Sequence, residues 1–315
     1  MRILHEFEYE RPSSLEAALE LMSRYRDRAR PIAGGTDLVI GMKYRSILQL
    51  ADESKFSAAA RAPKVVRPDV VVSLSRAPEL RGIAEQSSAV RVGPAATMTE
   101  IAGSDAFPMA LRALVDAAAA MGSPLIRNRA TFGGNLVHAR PAADTAVATL
   151  TLGGKLELAS ATRRRWVDVG DFFTGPGETV KADDELLVAI ELPFGPDEGS
   201  AYLRQGTRRQ LEIALAGAAA WVHLDPASGH VKDARIGLGA VAPTPILAPE
   251  AARSLHGKPP DTDNIAKAAA AARTEIKPID DYRGSAAYRF EIVEVLVRRA
   301  LAIAASRARG EEVRS

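Results

Sequence analysis

"PIAGGTDLVIGMK", residues 31–43, is an apolar run broken in its middle by two adjacent glycines, a hydroxyl and a carboxylate. Without Gly34 and Gly35 it would read as one buried segment; with them the backbone must turn tightly or approach something closely. Arg30 to Ala33 read as a short strand ending at Gly34, so the glycines sit where a strand gives way to a loop.

Outward from that point, strands alternate with helices. Ser13 and Glu16 have the spacing of a capping box, ahead of a helix with Leu15, Ala18, Leu19 and Met22 on one face. "DVVVSL" (Asp69–Leu74) and "AVRVG" (Ala89–Gly93) read as strands, Thr97 with Glu100 as a second capping box, and Ala110–Met121 as a helix. Between Met42 and Asp69 no period is clean, and the reading is a loop or a short helix plus a loop. Gly122–Asp144 is dense in Gly, Pro, Asn and Arg. The strand "ELLVAIEL" is followed by a linker-like break, Pro193–Ser200. Beyond it, "IALAGAAAWVHLD" and "HVKDARIGLGAVAP" read as antiparallel strands joined through "PASG". Two helices close the chain, Asn264–Ile276 and Ser285 to about Arg307, the latter with Tyr288, Ile292, Val295, Leu296 and Ile303 on one stripe. No internal repeat is present.

Composition narrows the function classes. A chain of 315 residues has room for roughly two domains. Forty-one basic against 39 acidic side chains leave a net charge of +2, and the short Arg clusters read as solvated faces, so no nucleic-acid footprint is expected. With no Cys the chain cannot form disulfides, thiolate nucleophiles, a cysteinyl flavin link, or Cys-ligated zinc or iron–sulfur sites. Redox chemistry would need a borrowed cofactor. The N-terminal stretch lacks a charged head followed by an apolar core, and no run approaches the ~18 apolar residues of a membrane span, so a soluble, cytoplasmic protein is expected.

A second glycine pair stands in "ATFGGN", Ala130–Asn135, again followed by a small polar residue. Glycines let peptide N–H groups converge on an anion, and Thr36 or Asn135 can add donors, so two such loops could bracket one diphosphate. Either pair reads equally as a plain tight turn. Neither is a dinucleotide fingerprint or a P-loop, and spacing alone leaves the question open.

Together, "PIAGGTDLVIGMK", "GSPLIRNRATFGGNLVHARPAAD", "ARIGLGAVAPTPILAPEAARSLHGK" and the closing "DYRGSAAYRFEIVEVLVRRAL" resemble the FAD-binding medium subunits of the molybdenum hydroxylases, the family of the xanthine dehydrogenase and carbon monoxide dehydrogenase flavoproteins. The four motifs stand in the expected order and cover nearly the whole chain. The resemblance implies an α+β fold: a vanillyl-alcohol-oxidase-like (PCMH-type) FAD-binding domain of two α/β subdomains, then a C-terminal domain with a three-stranded antiparallel sheet and a helix bundle. By position these would span 1–195 (subdomains about 1–60 and 61–195) and 196–315.

It further implies bound FAD with its diphosphate between the two glycine segments. Arg30, Pro31, Ile32, Ala33, Gly34, Gly35, Thr36 and Asp37 would form the first loop and Thr131, Gly133, Gly134 and Asn135 the second. Met121 and Gly122 would line the adenosine side, with Asp144, Leu187 and Arg204 near the flavin ring. Each has a plainer reading: Leu187 as core, Asp144 as the cap of a helix starting at Thr145, Arg127 and Arg129 as surface pairs. Tyr202 is a weaker candidate for shielding the ring. His138 has no other His or carboxylate at ligand spacing and reads as non-metal; no metal site and no catalytic residue is expected.

The implied function is an oxidoreductase subunit that passes electrons from a partner's [2Fe-2S] clusters through FAD to an external acceptor. Its partners would be a two-[2Fe-2S] small subunit and a molybdopterin-binding large subunit, in a dimer of heterotrimers. A self-contained FAD oxidase of the wider fold family, or a scaffold that kept the fold without turnover, are the competing readings. The segment Arg45–Val66 is longer than in typical relatives. The relatives acting on hydroxybenzoyl-coenzyme A carry a Cys-ligated cluster in an insertion that this chain lacks.

Overall fold

The computed structural model describes residues 5–43, 66–208 and 211–313. The long segment noted above lies almost wholly outside the described residues. Strands β1 (Glu8–Glu10), β2 (Ala29–Ile32) and β3 (Val70–Ser73) form a parallel sheet in the order β1-β3-β2. Helix α1 (Leu15–Tyr25) covers it with the expected face, Leu15, Ala18, Leu19 and Met22. The cap is displaced by one residue from the sequence reading. Ser14 accepts from the Ala17 amide at 3.2 Å, and alanine at that position has no side chain to complete a box. The first glycine pair follows β2 and leads into α2 (Leu38–Lys43).

The second sheet is antiparallel, in the order β4-β5-β10-β6-β7: β4 (Ile83–Glu85), β5 (Ala89–Val92), β6 (Lys155–Ala159), β7 (Arg164–Asp168) and β10 (Leu186–Pro193), with β8 (Phe173–Gly175) and β9 (Glu178–Thr179) forming a separate hairpin. Between β5 and β6 run α3 (Met98–Ala102), α4 (Arg112–Ala120), α5 (Pro124–Arg127), α6 (Phe132–His138) and α7 (Asp144–Thr151). The Thr97–Glu100 capping box forms as expected. The Gly- and Pro-rich stretch 122–144 is helical in large part because Ser123 and Thr131 supply caps: their hydroxyls accept from Ile126 N and Gly134 N at 3.4 and 3.2 Å.

The third sheet was expected to have three strands and has four, β11 (Glu198–Gln205), β12 (Ala216–Leu224), β13 (Val231–Gly239) and β14 (Ile246–Leu247), in chain order. Pro243, Pro245 and Pro249 bracket β14 and leave only two residues able to pair, too few to show alternation. Helices α8 (Pro249–Arg253), α9 (Thr262–Ala272) and α10 (Ala286–Ala308) pack on one face of this sheet, and α4 and α7 on the other. The alternation in β12 follows: Ala216, Ala218, Ala220 and Val222 belong to the core under α10, Ala219 and Trp221 to the core shared with α4. On α10 the buried stripe is Val293, Leu296, Val297, Ala300, Leu301 and Ala304, while Tyr288 is exposed. Alanines, which the sequence reading passed over, are wanted there because α10 lies directly on β11; a Cβ on Gly199 would strike the Ala304 carbonyl.

The presumed linker is a tight connection in which Glu198 accepts from Gly195 N at 2.9 Å, and β11 starts inside it. As an edge strand β11 would expose unpaired backbone groups. Arg307 of α10 donates to the Ser200 carbonyl at 2.7 Å, Asp116 of α4 accepts from Tyr202 N at 3.2 Å, and Arg307 and Asp116 pair at 2.6 Å. The Ser200 hydroxyl also accepts from Ala113 N at 2.9 Å.

Two predictions follow from buried charges. Arg307→Leu removes the buried pair with Asp116 and the bond to the Ser200 carbonyl, and urea unfolding should show a loss of about 3–5 kcal/mol; a loss under ~1 kcal/mol would refute the clamp. Glu185 is fully buried, and Arg165 pairs with it at 2.8 Å. The Arg165 hydrogen bonds, reinforced by the Ala182 amide, outweigh burial and hold its carboxyl at about 2 against an ordinary value of 4.5. A depressed carboxylate contributes stability that is fully present above the unfolded value and lost as pH falls through the folded one. The gap between the wild type and Glu185→Gln should therefore be constant above about pH 4.5 and close as pH falls towards 2.

Candidate functional site

The first glycine segment is built by a contact with the second. Gly34 lies on the backbone of residues 129–130: a Cβ there would run into the Arg129 carbonyl oxygen, so no other residue fits. Gly35 takes a φ of +75°, in the left-handed region that favours glycine. Among the described residues, none of the amides from Ala33 to Asp37 donates to a protein acceptor, and all five residues are at least partly open to solvent. N–H groups without an acceptor among the described residues, with the Thr36 hydroxyl in the same segment, are suited to phosphate oxygens.

The second pair differs. The sequence reading made Thr131–Asn135 a loop with converging amides; instead Thr131 caps α6 and the glycines form its first turn. The four amides after Thr131 all have partners: Phe132 N reaches Ala96 O at 2.9 Å, Gly133 N Pro94 O at 2.8 Å, Gly134 N the Thr131 hydroxyl, and Asn135 N Thr131 O at 3.0 Å. Gly133 is required because Pro94 occupies the space of its side chain. Gly134 is exposed, and a Cβ there meets only Thr131 Oγ1 at 2.8 Å. This segment is a finished wall rather than an open cradle.

A second link joins the two segments. His138, at the end of α6, has Nε2 3.5 Å from an Asp37 carboxylate oxygen and accepts there from Arg140 Nε at 2.9 Å. Burial lowers its pKa, Asp37 raises it, and Arg140 lowers it, leaving it below the ordinary value. Among the described residues no group of three or more His, Cys, Asp or Glu could hold a metal ion.

Beyond α6 the site continues to a buried polar cluster. Asn135 accepts from the Thr145 hydroxyl at 2.6 Å and donates to Met121 Sδ at 3.8 Å. Gly122 has a φ of +52°, and its carbonyl accepts from Leu211 N at 3.1 Å. Asp144 is the first residue of α7, not its cap, a position held by Ala143. It is 4% exposed and accepts from the Tyr202 hydroxyl at 2.6 Å and from Arg204 Nη1 at 3.3 Å. Burial pushes the Asp144 pKa up, against the pull of Arg204 and the Tyr202 hydrogen bond; burial and the Asp144 charge push Tyr202 well above its ordinary value. Arg204 also donates to Glu212 O at 3.0 Å, which ties down the segment after β11.

The expected residues thus converge from Ala33 to Asp37, through Met121, Gly122 and α6, to Asp144 and Arg204. Two are used differently. The Arg30 side chain donates back to the Asp27 and Ala29 carbonyls at 2.7 Å, and Leu187, 5% exposed, packs into the main core beside a β-bulge. Arg127 is a local brace on the Met121 carbonyl at 2.9 Å. Sequence reading missed Pro94 and Ala96, whose role is carried by backbone carbonyls and leaves no side-chain signal. It underrated Tyr202, although in "AYLR" that residue falls on the same strand face as Arg204.

Amides without an acceptor among the described residues, next to a capped helix and a buried acid, would suit a phosphate-bearing cofactor. Residues 58–195 match the FAD binding domain of molybdopterin dehydrogenases, and residues 201–304 the CO dehydrogenase flavoprotein C-terminal domain. The carbon monoxide dehydrogenase medium chain of Afipia carboxidovorans is 32% identical over 303 residues, covering 96% of this chain and 98% of its own. The xanthine dehydrogenase FAD-binding subunit of Escherichia coli O157:H7 is 29% identical over 306 residues, covering 96% and 97%. A solved structure of the Cu,Mo-CO dehydrogenase matches with a TM-score of 0.86 at 32% identity, over 97% of this chain and 100% of that one. The chain belongs to the FAD-binding medium-subunit family of the molybdenum hydroxylases. It is an oxidoreductase subunit within a multi-subunit enzyme, which sets aside the self-contained oxidase.

Two glycine substitutions separate these roles. Gly34→Ala should cost roughly 1–3 kcal/mol because backbone has to move, and Gly134→Ala less, because its Cβ meets only the Thr131 hydroxyl, a side-chain group that can shift at the expense of its cap. Matched urea titrations check this, and equal costs would contradict the different packing of the two pairs.

Proposed function

We propose that this chain holds FAD non-covalently and serves as the electron relay between a two-[2Fe-2S] small subunit and an external acceptor, in a dimer of heterotrimers completed by a molybdopterin-binding large subunit. The observation that carries the reading is the row of amides from Ala33 to Asp37 that have no acceptor among the described residues, beside a first turn of α6 whose amides are engaged. The residues fit the cofactor: those amides and the Thr36 hydroxyl would hold the diphosphate. Gly34, Gly35, Thr131, Gly133, Gly134 and Asn135 would shape the walls around it, and Met121 and Gly122 the adenosine side. The FAD, when bound, supplies the capacity to take up and release electrons singly or in pairs.

The chain's own residues orient and tune. Asp144, buried and hydrogen-bonded to Tyr202 and Arg204, sets a fixed polar group at the ring end of the site, and Arg204 adds a positive charge beside it. The polar atoms of this cluster are held by one another, so the ring would meet a surface that need not reorganise when charge arrives. With no Cys the chain cannot hold the clusters that feed it, which supports the need for a partner.

His138 is occupied by Arg140 and Asp37, and no thiol exists, so neither offers a covalent tether. Acid precipitation of the purified chain should release its FAD to the supernatant in about equimolar amount. The loaded chain should be bleached by a reduced iron–sulfur partner and show no substrate turnover alone. Colour retained in the pellet, or oxidation of an organic substrate by the lone chain, would overturn the reading.

A further inference from the structure

The sequence between α9 and α10 builds a small rigid projection that the cofactor site does not use. Asp281 and Gly284 exchange backbone hydrogen bonds, both at 3.2 Å, closing a two-residue turn with Tyr282 and Arg283 at its tip. One Asp281 oxygen accepts from the amides of Arg283 and Gly284 at 2.8 and 3.2 Å and pairs with Arg289 at 2.8 Å. Its other oxygen accepts from Arg283 Nη1 at 3.1 Å. Arg289 is 3% exposed and donates to the Ala240 carbonyl at 2.6 Å, anchoring the turn to the end of β13. Burial raises the Asp281 pKa, but the Arg283 amide and the Arg289 charge outweigh it and keep the carboxyl below its ordinary range.

What this framework presents is an aromatic ring in water. Tyr282 is 85% exposed, with the Arg283 guanidinium stacked 4.5 Å from its centroid; Ile279 and Tyr288, on either side in sequence, are also exposed. Desolvating an ion pair is costly, and here it fixes the turn that carries the Tyr–Arg pair. Pre-organised Tyr and Arg dominate binding energy at protein interfaces, because little side-chain freedom remains to be lost. Arg283 keeps Nε and Nη2 without a protein acceptor among the described residues, so the matching surface would present an apolar socket with a carbonyl or carboxylate at its rim.

The projection is continuous with the cofactor end of the molecule. Gly284 lies against Leu215, Leu215 N donates to Gln205 O at 2.8 Å, and the segment between them is tied to Arg204 through Glu212 and to Gly122 through Leu211. Any subunit exchanging electrons with a flavin beside Arg204 has to lie against this end of the chain.

We propose that the Tyr282–Arg283 turn is the docking knob for the iron–sulfur subunit. This rests on the relay function proposed above. A second copy of this chain would bring no cluster, since the sequence holds no Cys, and so would not need to sit there.

The test uses the assembled enzyme, made by co-expressing all three subunits. Position 282 is replaced by a photo-crosslinking phenylalanine analogue, and in parallel Tyr282→Ala/Arg283→Gln is prepared. Irradiation should join this chain to the iron–sulfur subunit, and the double variant should keep its FAD and its melting temperature while its affinity for that subunit falls at least tenfold. A crosslink to the large subunit, to a second copy or to nothing, or a double variant that assembles with wild-type affinity, overturns the proposal. Replacing Tyr282 by Phe, which keeps the stacked ring, should retain assembly; loss of assembly in that variant would also count against it. A wild-type chain that neither binds FAD nor assembles overturns the relay reading itself, and is told apart by its missing flavin.

Discussion

The open edge of β11 is closed by side chains rather than by another strand. Asp116 from α4 takes the Tyr202 amide, Arg307 from α10 covers the Ser200 carbonyl, and the two charges neutralise each other. This fixes the strand that carries Tyr202 and Arg204 towards Asp144, and it fixes the separation of the two helices that sandwich the sheet. An edge strand satisfied in this way cannot recruit a foreign strand, and it cannot slide, because a shift of one residue would point Tyr202 and Arg204 away from the buried acid.

The two glycine pairs show how the same letters serve different ends. Gly34 and Gly133 are both demanded by a neighbour's backbone or ring, Arg129 in one case and Pro94 in the other. Yet the amides of one segment have no acceptor among the described residues, while the four that follow Thr131 in the other are engaged within the protein. Thr131 is the difference: as a helix cap it commits Gly134 to the first turn of α6. Thr36 stands ahead of a shorter helix and its hydroxyl has no such partner among the described residues.

Much of this was legible in the sequence where local chemistry governs. The Thr97–Glu100 box, the apolar face of α1 and the β12–β13 hairpin follow from spacing alone. The failures cluster where tertiary contacts decide. The cap moved from Ser13 to Ser14, β11 emerged from what looked like a linker, and β14 hid between prolines. The α10 stripe was misjudged because burial there selects alanines that fit against Gly199, and alanine carries little periodic signal. In the site, how the two glycine segments are built depended on the carbonyls of Pro94, Ala96 and Arg129, which no side-chain pattern records.

The core that Trp221, Ala219 and Tyr202 share with α4 and the second sheet has a consequence for how such chains change over generations. The two family matches meet near residues 195–201, where a crossover between related genes would leave each half recognisable. The packing opposes that exchange. A foreign second half would have to match the core under α4 and α7, supply an arginine opposite Asp116, and leave room for α7 at Gly237 and Gly239. Recombination at this seam would therefore be selected against even though the reading frame survives, and the halves are expected to be inherited together.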